Sequence, residues 1–301
     1  MQDIESWNHR SLVIEFLAKR LNSGHILPFL GSGVSYFANL PNWQNLLSDI
    51  GKEVDPDYVL PDDDPYVQAE HLLSSGFHDK TQEFYKAVHS QLFAHLDSDF
   101  LDVIRADEGM RALTMLCHRS VRGGSNFIAT LNYDDILELM LNDLSLVVHS
   151  VGSDRFLLGS SDVTVLHPHG LLRLEDKGKD LDRRIVIAQS DHSHVKDSSW
   201  FPMLTVLLSK SFPLFIGIGG KDLRFLDYLD EARKYNYSTD IAGLPYVGIR
   251  LCSRTDAYKA IFEKKKIKCI DFEDLGRDWP TFVAAVCRKA AEIARERIHS
   301  I

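Results

Sequence analysis

The segment Ile26-Leu27-Pro28-Phe29-Leu30-Gly31-Ser32-Gly33-Val34-Ser35 runs five largely apolar residues straight into two glycines and two serines. An apolar run this short, closed by glycine, predicts a buried strand that delivers a tight turn. Glycine lets backbone N–H groups approach an anion with no Cβ in the way, and a helix beginning just beyond would add its partial positive charge. The guest such a turn predicts is a dinucleotide or another phosphorylated ligand. An ordinary tight turn uses the same residues, so the rest of the chain has to discriminate.

Further along, strand-like and helical patterns alternate. Candidate strands are Phe127 to Thr130, Leu146 to Val148, Val163 to Leu166, Ile185 to Ile187, Leu214 to Ile216, Tyr246 to Ile249 and Cys269 to Phe272. Helical periodicity marks Ser11 to Leu21, a start at Pro41, Asp134 to Leu141, and Trp279 to Ile298 with Arg288, Lys289, Arg295 and Arg297 on its outer face. Short apolar strands separated by helices predict an α/β fold, a doubly wound parallel sheet covered on both faces, with the ligand at the carboxyl ends of the strands. Between about 55 and 121 an acidic loop leads into helical spacing with no strand signal. This stretch, Pro65 to Val121 in particular, reads as a helical insertion and candidate lid within one catalytic domain spanning 1–301. Its aromatics Phe77, Phe84, Tyr85 and Phe93 read as the core of that insertion, and Trp43 and Trp200 as core anchors.

Composition narrows the function classes. A net charge of −9 and a pI near 5.8 leave no basic footprint for nucleic acid. Cys117, Cys252, Cys269 and Cys287 are scattered with no Cys-x-x-Cys pair, which offers neither a zinc ribbon nor a redox motif and suits a reducing compartment. With no basic start followed by an apolar core and no bilayer-length apolar run, a cytoplasmic, membrane-free protein is expected.

Four segments place glycine or polar residues directly after apolar runs: Gly31-Ser32-Gly33-Val34-Ser35, Thr130-Leu131-Asn132-Tyr133-Asp134, His167-Pro168-His169-Gly170 and Gly217-Ile218-Gly219-Gly220-Lys221-Asp222. In this order they resemble the sirtuin family, across roughly the central two-thirds of the chain. The resemblance implies a Rossmann-like, sirtuin-type fold. It implies that Gly31, Ser32, Gly33 and Ser35 hold the pyrophosphate of NAD, that Asn132 sits by the nicotinamide ribose and the attacking water, and that Asp134 sits by the carboxamide. It implies His169 as general base, with the turn at Gly217 and Gly219 packing against the adenosine end. Protein-deacylating sirtuins carry two cysteine pairs for zinc after the His-Gly pair, whereas no cysteine lies between Cys117 and Cys252 here. They also have a Pro-Asp-Phe-Arg segment where this chain has Pro41-Asn42-Trp43-Gln44. The sequence is more similar to zinc-free bacterial sirtuin-like effectors of phage defence, which hydrolyse NAD.

The residue chemistry fits that resemblance. Breaking the bond between nicotinamide and ribose develops oxocarbenium character, which calls for a fixed dipole and an in-line water, tasks that suit asparagine. A histidine titrating near about 6.5 suits proton removal at neutral pH. The competing readings are bland: Asn132 as a helix cap, Asp134 as a complement to the helix dipole, His167 as a group satisfying local backbone. His167 and His169 would face the same side of a strand, a spacing that permits a metal. With no third ligand nearby, and the repeat at His192 and His194 in a loop, no metal is expected.

The expected activity is NAD glycohydrolysis to ADP-ribose and nicotinamide, in antiviral defence by NAD depletion, with NAD as substrate. The alternatives are a zinc-free NAD-dependent deacylase and a non-catalytic module that senses NAD or ADP-ribose. Because such an enzyme is toxic to its own cell and 301 residues leave little room for a sensor, control by homo-oligomerisation or by a partner subunit is expected. The resemblance suggests a HerA-type ATPase as that partner.

Overall fold

Strand β1 (Ile26–Leu30) is buried at all five residues because both faces of its sheet are covered. The computed structural model describes residues 5–61, 64–96, 98–152, 160–179, 185–191, 199–219, 226–234 and 244–299. Successive side chains of a strand point to opposite faces, and here Ile26 and Leu30 enter one apolar cluster while Leu27 and Phe29 enter another. The other strands are β2 (Phe127–Thr130), β3 (Val148–Val151), β4 (Val163–Leu166), β5 (Phe212–Ile216), β6 (Gly248–Ser253) and β7 (Ile267–Phe272). They form one sheet in the order β3-β4-β2-β1-β5-β6-β7, and every described pairing is parallel. Proline in a central strand forfeits a ladder donor. Around Pro28 the sheet accommodates this: β1 meets β2 only at Phe29 and Leu30, and the Ile26 carbonyl accepts the hydroxyl of buried Ser125 at 2.8 Å.

Among the described residues the α-helices are α1 (Arg10–Asn22), α2 (Trp43–Val54), α3 (Pro65–His71), α4 (Thr81–Leu92), α5 (Phe100–Ala106), α6 (Glu108–Cys117), α7 (Ile136–Asp143), α8 (Trp200–Lys210), α9 (Leu226–Lys234), α10 (Lys259–Lys264) and α11 (Leu275–His299). On one face α1, α6, α7 and α11 bury Leu17, Leu116, Leu141 and Val283 against the sheet. On the other, α8, α9 and α10 bury Leu204, Leu229 and Phe262. Covering both faces of a parallel sheet is the doubly wound solution, since each strand must hide two apolar sides. A third cluster joins Leu47, Ile50, Leu72, Phe84 and Val88 of the helical module with Tyr133, Leu172, Ile185 and Ile187. The stretch from 65 to 117 is helical among the described residues, as its periodicity predicts, but α6 packs with the sheet-covering helices. The helices that share the separate core are α2 to α4. None of the described helices is long and apolar enough to cross a membrane.

Several predicted elements are corrected. Ile185 to Ile187 is not a strand: the run is buried, but its backbone bonds to side chains and loops. Tyr85 and Tyr133 hydroxyls donate to the Ile185 and Val186 carbonyls, Val186 N–H to the His169 carbonyl, and Ile187 N–H to Asp191. β3 and β6 begin two residues later than the apolar runs suggested, and α7 starts at Ile136, where the Asp134 carboxylate accepts the Ile136 N–H at 3.2 Å. The final helix covers the sheet as expected, beginning earlier at Leu275.

The order of strands sets the place of the site. From β1 the chain fills the β2 side first, through β3 and β4, and then crosses to β5 and on to β7. The direction of winding thus reverses between β1 and β5, the switch point at which such a sheet forms its ligand crevice, at the carboxyl ends of the strands.

Candidate active site at the carboxyl ends of β1, β2 and β5

The turns after β1 and β5 interlock through backbone. Gly31 N–H donates to the Ile216 carbonyl and Gly33 N–H to the Gly217 carbonyl, each at 3.0 Å. A Cβ at Gly31 would lie 2.6 Å from the Gly217 carbonyl oxygen, and one at Gly33 2.8 Å from Gly217 Cα. Gly217 sits at φ +69, and a Cβ there would meet Val34 N at 2.7 Å. Glycine is thus required by the approach of two turns. This revises the reason given for the motif, because the Gly31 and Gly33 amides are committed to the neighbouring turn. The predicted helix start directly beyond it is also replaced, by two 3₁₀ turns at Ser32–Val34 and Tyr36–Ala38. Asn39 then adopts a left-handed φ of 55°, which stops right-handed helix, and α2 begins only at Trp43 with Asn42 capping Asn45 N–H.

The loop after β2 is held by polar side chains. Asn132 N–H donates to Thr130 Oγ1 at 3.1 Å and Asn132 Nδ2 to Ser35 Oγ at 3.2 Å. Ser35 Oγ donates in turn to the Asp134 carboxylate, 3.2 Å from both oxygens. A hydroxyl has one proton, and Asp134 takes it, so Asn132 must present its NH₂ to Ser35. No hydrogen bond among the described residues engages its Oδ1.

Behind this loop lies a buried acid cluster. His167 is fully buried, with Nδ1 3.0 Å from the Asn132 carbonyl and Nε2 2.6 Å from Glu138 Oε1. Burial pulls the imidazole pKa down, but the Glu138 carboxylate and the two hydrogen bonds outweigh it and the net direction is up. Burial, then repulsion from Glu138, pushes Asp134 up to about 6 and Asp135 up to about 7. Asp135 is tied to the next loop by accepting Leu174 N–H.

These elements border a cavity of about 540 Å³, within the range of ligand sites. Gly31, Ser32, Gly33 and Ser35 line it from β1, Asn132 and Asp134 from β2, and Gly217 and Gly219 from β5. His169 is not among the lining residues. It is 2% exposed, one strand further out after β4, with its carbonyl taken by Val186 N–H. Gly220, Lys221, Asp222, His192 and His194 lie outside the described residues. Trp43, expected in the core, lines the cavity edge-on to Tyr66 and Tyr133, while Trp200 is buried under the sheet. Among the described residues no three His, Cys, Asp or Glu side chains converge as a metal site.

Sequence reasoning missed Glu138, whose signal was its place on the apolar face of a short helix beside the cluster. It also missed Arg250. That guanidinium, 2% exposed, donates to the Ile218 carbonyl at 2.9 and 3.2 Å, pairs with Asp256 at 2.6 Å and lies 4.2 Å over the Phe262 ring. An arginine inside the run Gly248-Ile249-Arg250-Leu251-Cys252 was the available sign, since a charge buried in a strand must be paired.

Comparison with known proteins adds a family match. The model of the SIR2-like domain matches residues 126–270. Comparison with curated protein sequences finds no match. The fold is similar to the crystal structure of a Sir2 homolog–NAD complex, with a TM-score of 0.53 and 13% identity over 92% of this chain and 94% of that chain. A structure solved in a study of the mechanism and regulation of Sir2 enzymes gives a TM-score of 0.48 and 12% identity over 96% of this chain and 98% of the other. The fold is therefore Sir2-like, and the matched domain contains the Asn132 loop, the His167 to Gly170 turn and the β5 turn.

Proposed function

We propose that the protein binds NAD in this cavity and hydrolyses it to ADP-ribose and nicotinamide. The observation that carries the reading is the convergence of three strand ends on one cavity in which Asn132 Oδ1 is the acceptor left unengaged. The cavity lining suits a dinucleotide. Ser32 is exposed on the interlocked turn, Asn132 and Asp134 stand at one wall, and Gly219, around which a Cβ would meet no atom within 4 Å, opens the other end. The Sir2 homolog of similar fold was crystallised with NAD, which supports carrying that ligand over.

When bound, NAD supplies the glycosidic bond whose cleavage leaves an electron-poor ribose carbon. The residues here orient and exclude. Asn132 Oδ1 accepts from a ribose hydroxyl or a water and holds it in one direction, while Ser35 keeps the amide from turning. Asp134, ionised above about pH 6, keeps Ser35 in that orientation and places negative charge beside the developing cation. Trp43 and Leu46 narrow the cavity on the side of the helical module. His169 as general base rests on the sequence resemblance, as do the role in antiviral defence, homo-oligomerisation and a HerA-type ATPase partner.

The test is nicotinamide release from NAD by purified protein, with Asn132→Ala and His169→Ala alongside. Each should cost about a hundredfold or more if it acts at the ribose. An Asn132→Ala protein with parental turnover overturns the reading, whereas parental turnover in His169→Ala alone would transfer the proton to another acceptor.

A further inference from the structure

We propose that His167 and Glu138 are a positioning pair for Asn132, clamping its backbone carbonyl from behind so that the side-chain amide meets substrate in one orientation. The inference rests on the NAD-cleaving reading of the cavity. Neither residue lines the cavity and both are buried, so they act through Asn132 and not on the ligand.

The geometry leaves little freedom. A carbonyl only accepts, so His167 Nδ1 carries a proton toward Asn132 at 3.0 Å. A second proton lies between Nε2 and Glu138 Oε1 at 2.6 Å. With both nitrogens engaged the ring cannot turn without breaking a buried bond. Thr130 holds the Asn132 N–H from the opposite side and Ser35 holds its Nδ2, so every polar group of Asn132 except Oδ1 is fixed. Through His167 the clamp also ties the end of β4 to the β2 loop and α7, 35 and 29 residues earlier in the chain. Stability alone is a poor account of it, because a buried ion pair gains little over an apolar pair of similar volume. Placement is a better one, since a shift of about 1 Å at a reacting group can cost a hundredfold in rate.

The test compares the full chain with Glu138→Gln and His167→Gln, reading kcat and KM for nicotinamide release, NAD affinity by calorimetry, and the imidazole ring protons by NMR. Glu138→Gln keeps the volume and an acceptor, and it carries the kinetic test should His167→Gln not fold. The expected result is a slowly exchanging, downfield ring N–H resonance that His167→Gln abolishes. Glu138→Gln should lower kcat by about tenfold or more with KM and NAD affinity within about threefold, as expected for lost alignment rather than lost binding. Unchanged kcat, or a loss carried by KM and affinity, overturns the proposal. So does a wild-type protein that cleaves NAD but shows no such resonance. Wild type that shows the resonance and releases no nicotinamide would support the clamp and sink the assigned reaction, which separates the two failures.

Discussion

The turn after β1 and the loop after β2 form adjoining walls of the same cavity by opposite means. The first is shaped by backbone pressed against the Gly217 turn, where any Cβ would collide. The second is shaped by a relay of side chains from Thr130, Ser35, Asp134 and His167 around Asn132. Substitutions in the turn should therefore be paid in stability, and those in the loop in alignment and pH response.

The largest effect should come from Gly217→Val, which combines a positive φ with a collision at Val34. A loss of about 3 kcal/mol or more is expected in denaturant unfolding. A variant as stable as the parent would break the contact account of the turn. Next, Asn132→Ala should lose about a hundredfold in NAD cleavage, roughly 2.7 kcal/mol of transition-state stabilisation, while unfolding shifts by only about 1 kcal/mol. If the loss appeared in stability instead, the two walls would not differ in kind.

A third measurement sharpens the loop side. Burial and Glu138 raise Asp135 from 3.8 to about 7, so between those values the native state holds a proton that the unfolded chain has released. The contribution of Asp135 to stability should thus be fully present below about pH 4 and be lost as pH rises toward 7, and Asp135→Asn should remove that decline, on the order of 2 kcal/mol. Unfolding curves of both proteins across pH 4 to 8 decide it, and identical slopes would show that the cluster is not protonated in this window. Asp134, raised to about 6, predicts an acid limb, with cleavage falling below that pH as the negative charge beside the developing cation is lost. The smallest effect is expected at Gly219→Ala, within about 0.5 kcal/mol of the parent, because nothing lies within 4 Å of the added Cβ. A large loss there would mean the β5 turn packs more tightly than its neighbours indicate.

The fold was legible from local pattern because burial on both faces of a parallel sheet writes itself as short apolar runs. Phe127 to Thr130 and Val163 to Leu166 appear as strands where their runs stand. The same signal misled at Ile185 to Ile187, which is equally apolar and fully buried but finds its hydrogen bonds in Tyr85, Tyr133 and Asp191. Hydrophobicity reports burial, not the partner of the backbone. In the site, Gly31, Ser35, Asn132, Asp134 and Gly217 were marked by position after a strand, and all line the cavity. Trp43 packs against the core of the helical module as expected and also lines the cavity, which an aromatic at a helix start does not announce.

By itself the sequence determined the alternation of elements, the strand ends at which polar and glycine residues collect, the acidic net charge and the lack of a Cys-x-x-Cys pair. These follow from neighbours along the chain, through periodicity and turn chemistry. Tertiary structure decided the rest. Strand order placed β4 beyond β2 and so kept His169 out of the cavity lining. Glycine proved necessary because one turn presses on another 184 residues away, Gly33 against Gly217. His167 does satisfy a backbone group, the Asn132 carbonyl, but its second bond, to Glu138, came only with folding, since the protonation and orientation of a buried group depend on whichever charges are brought beside it.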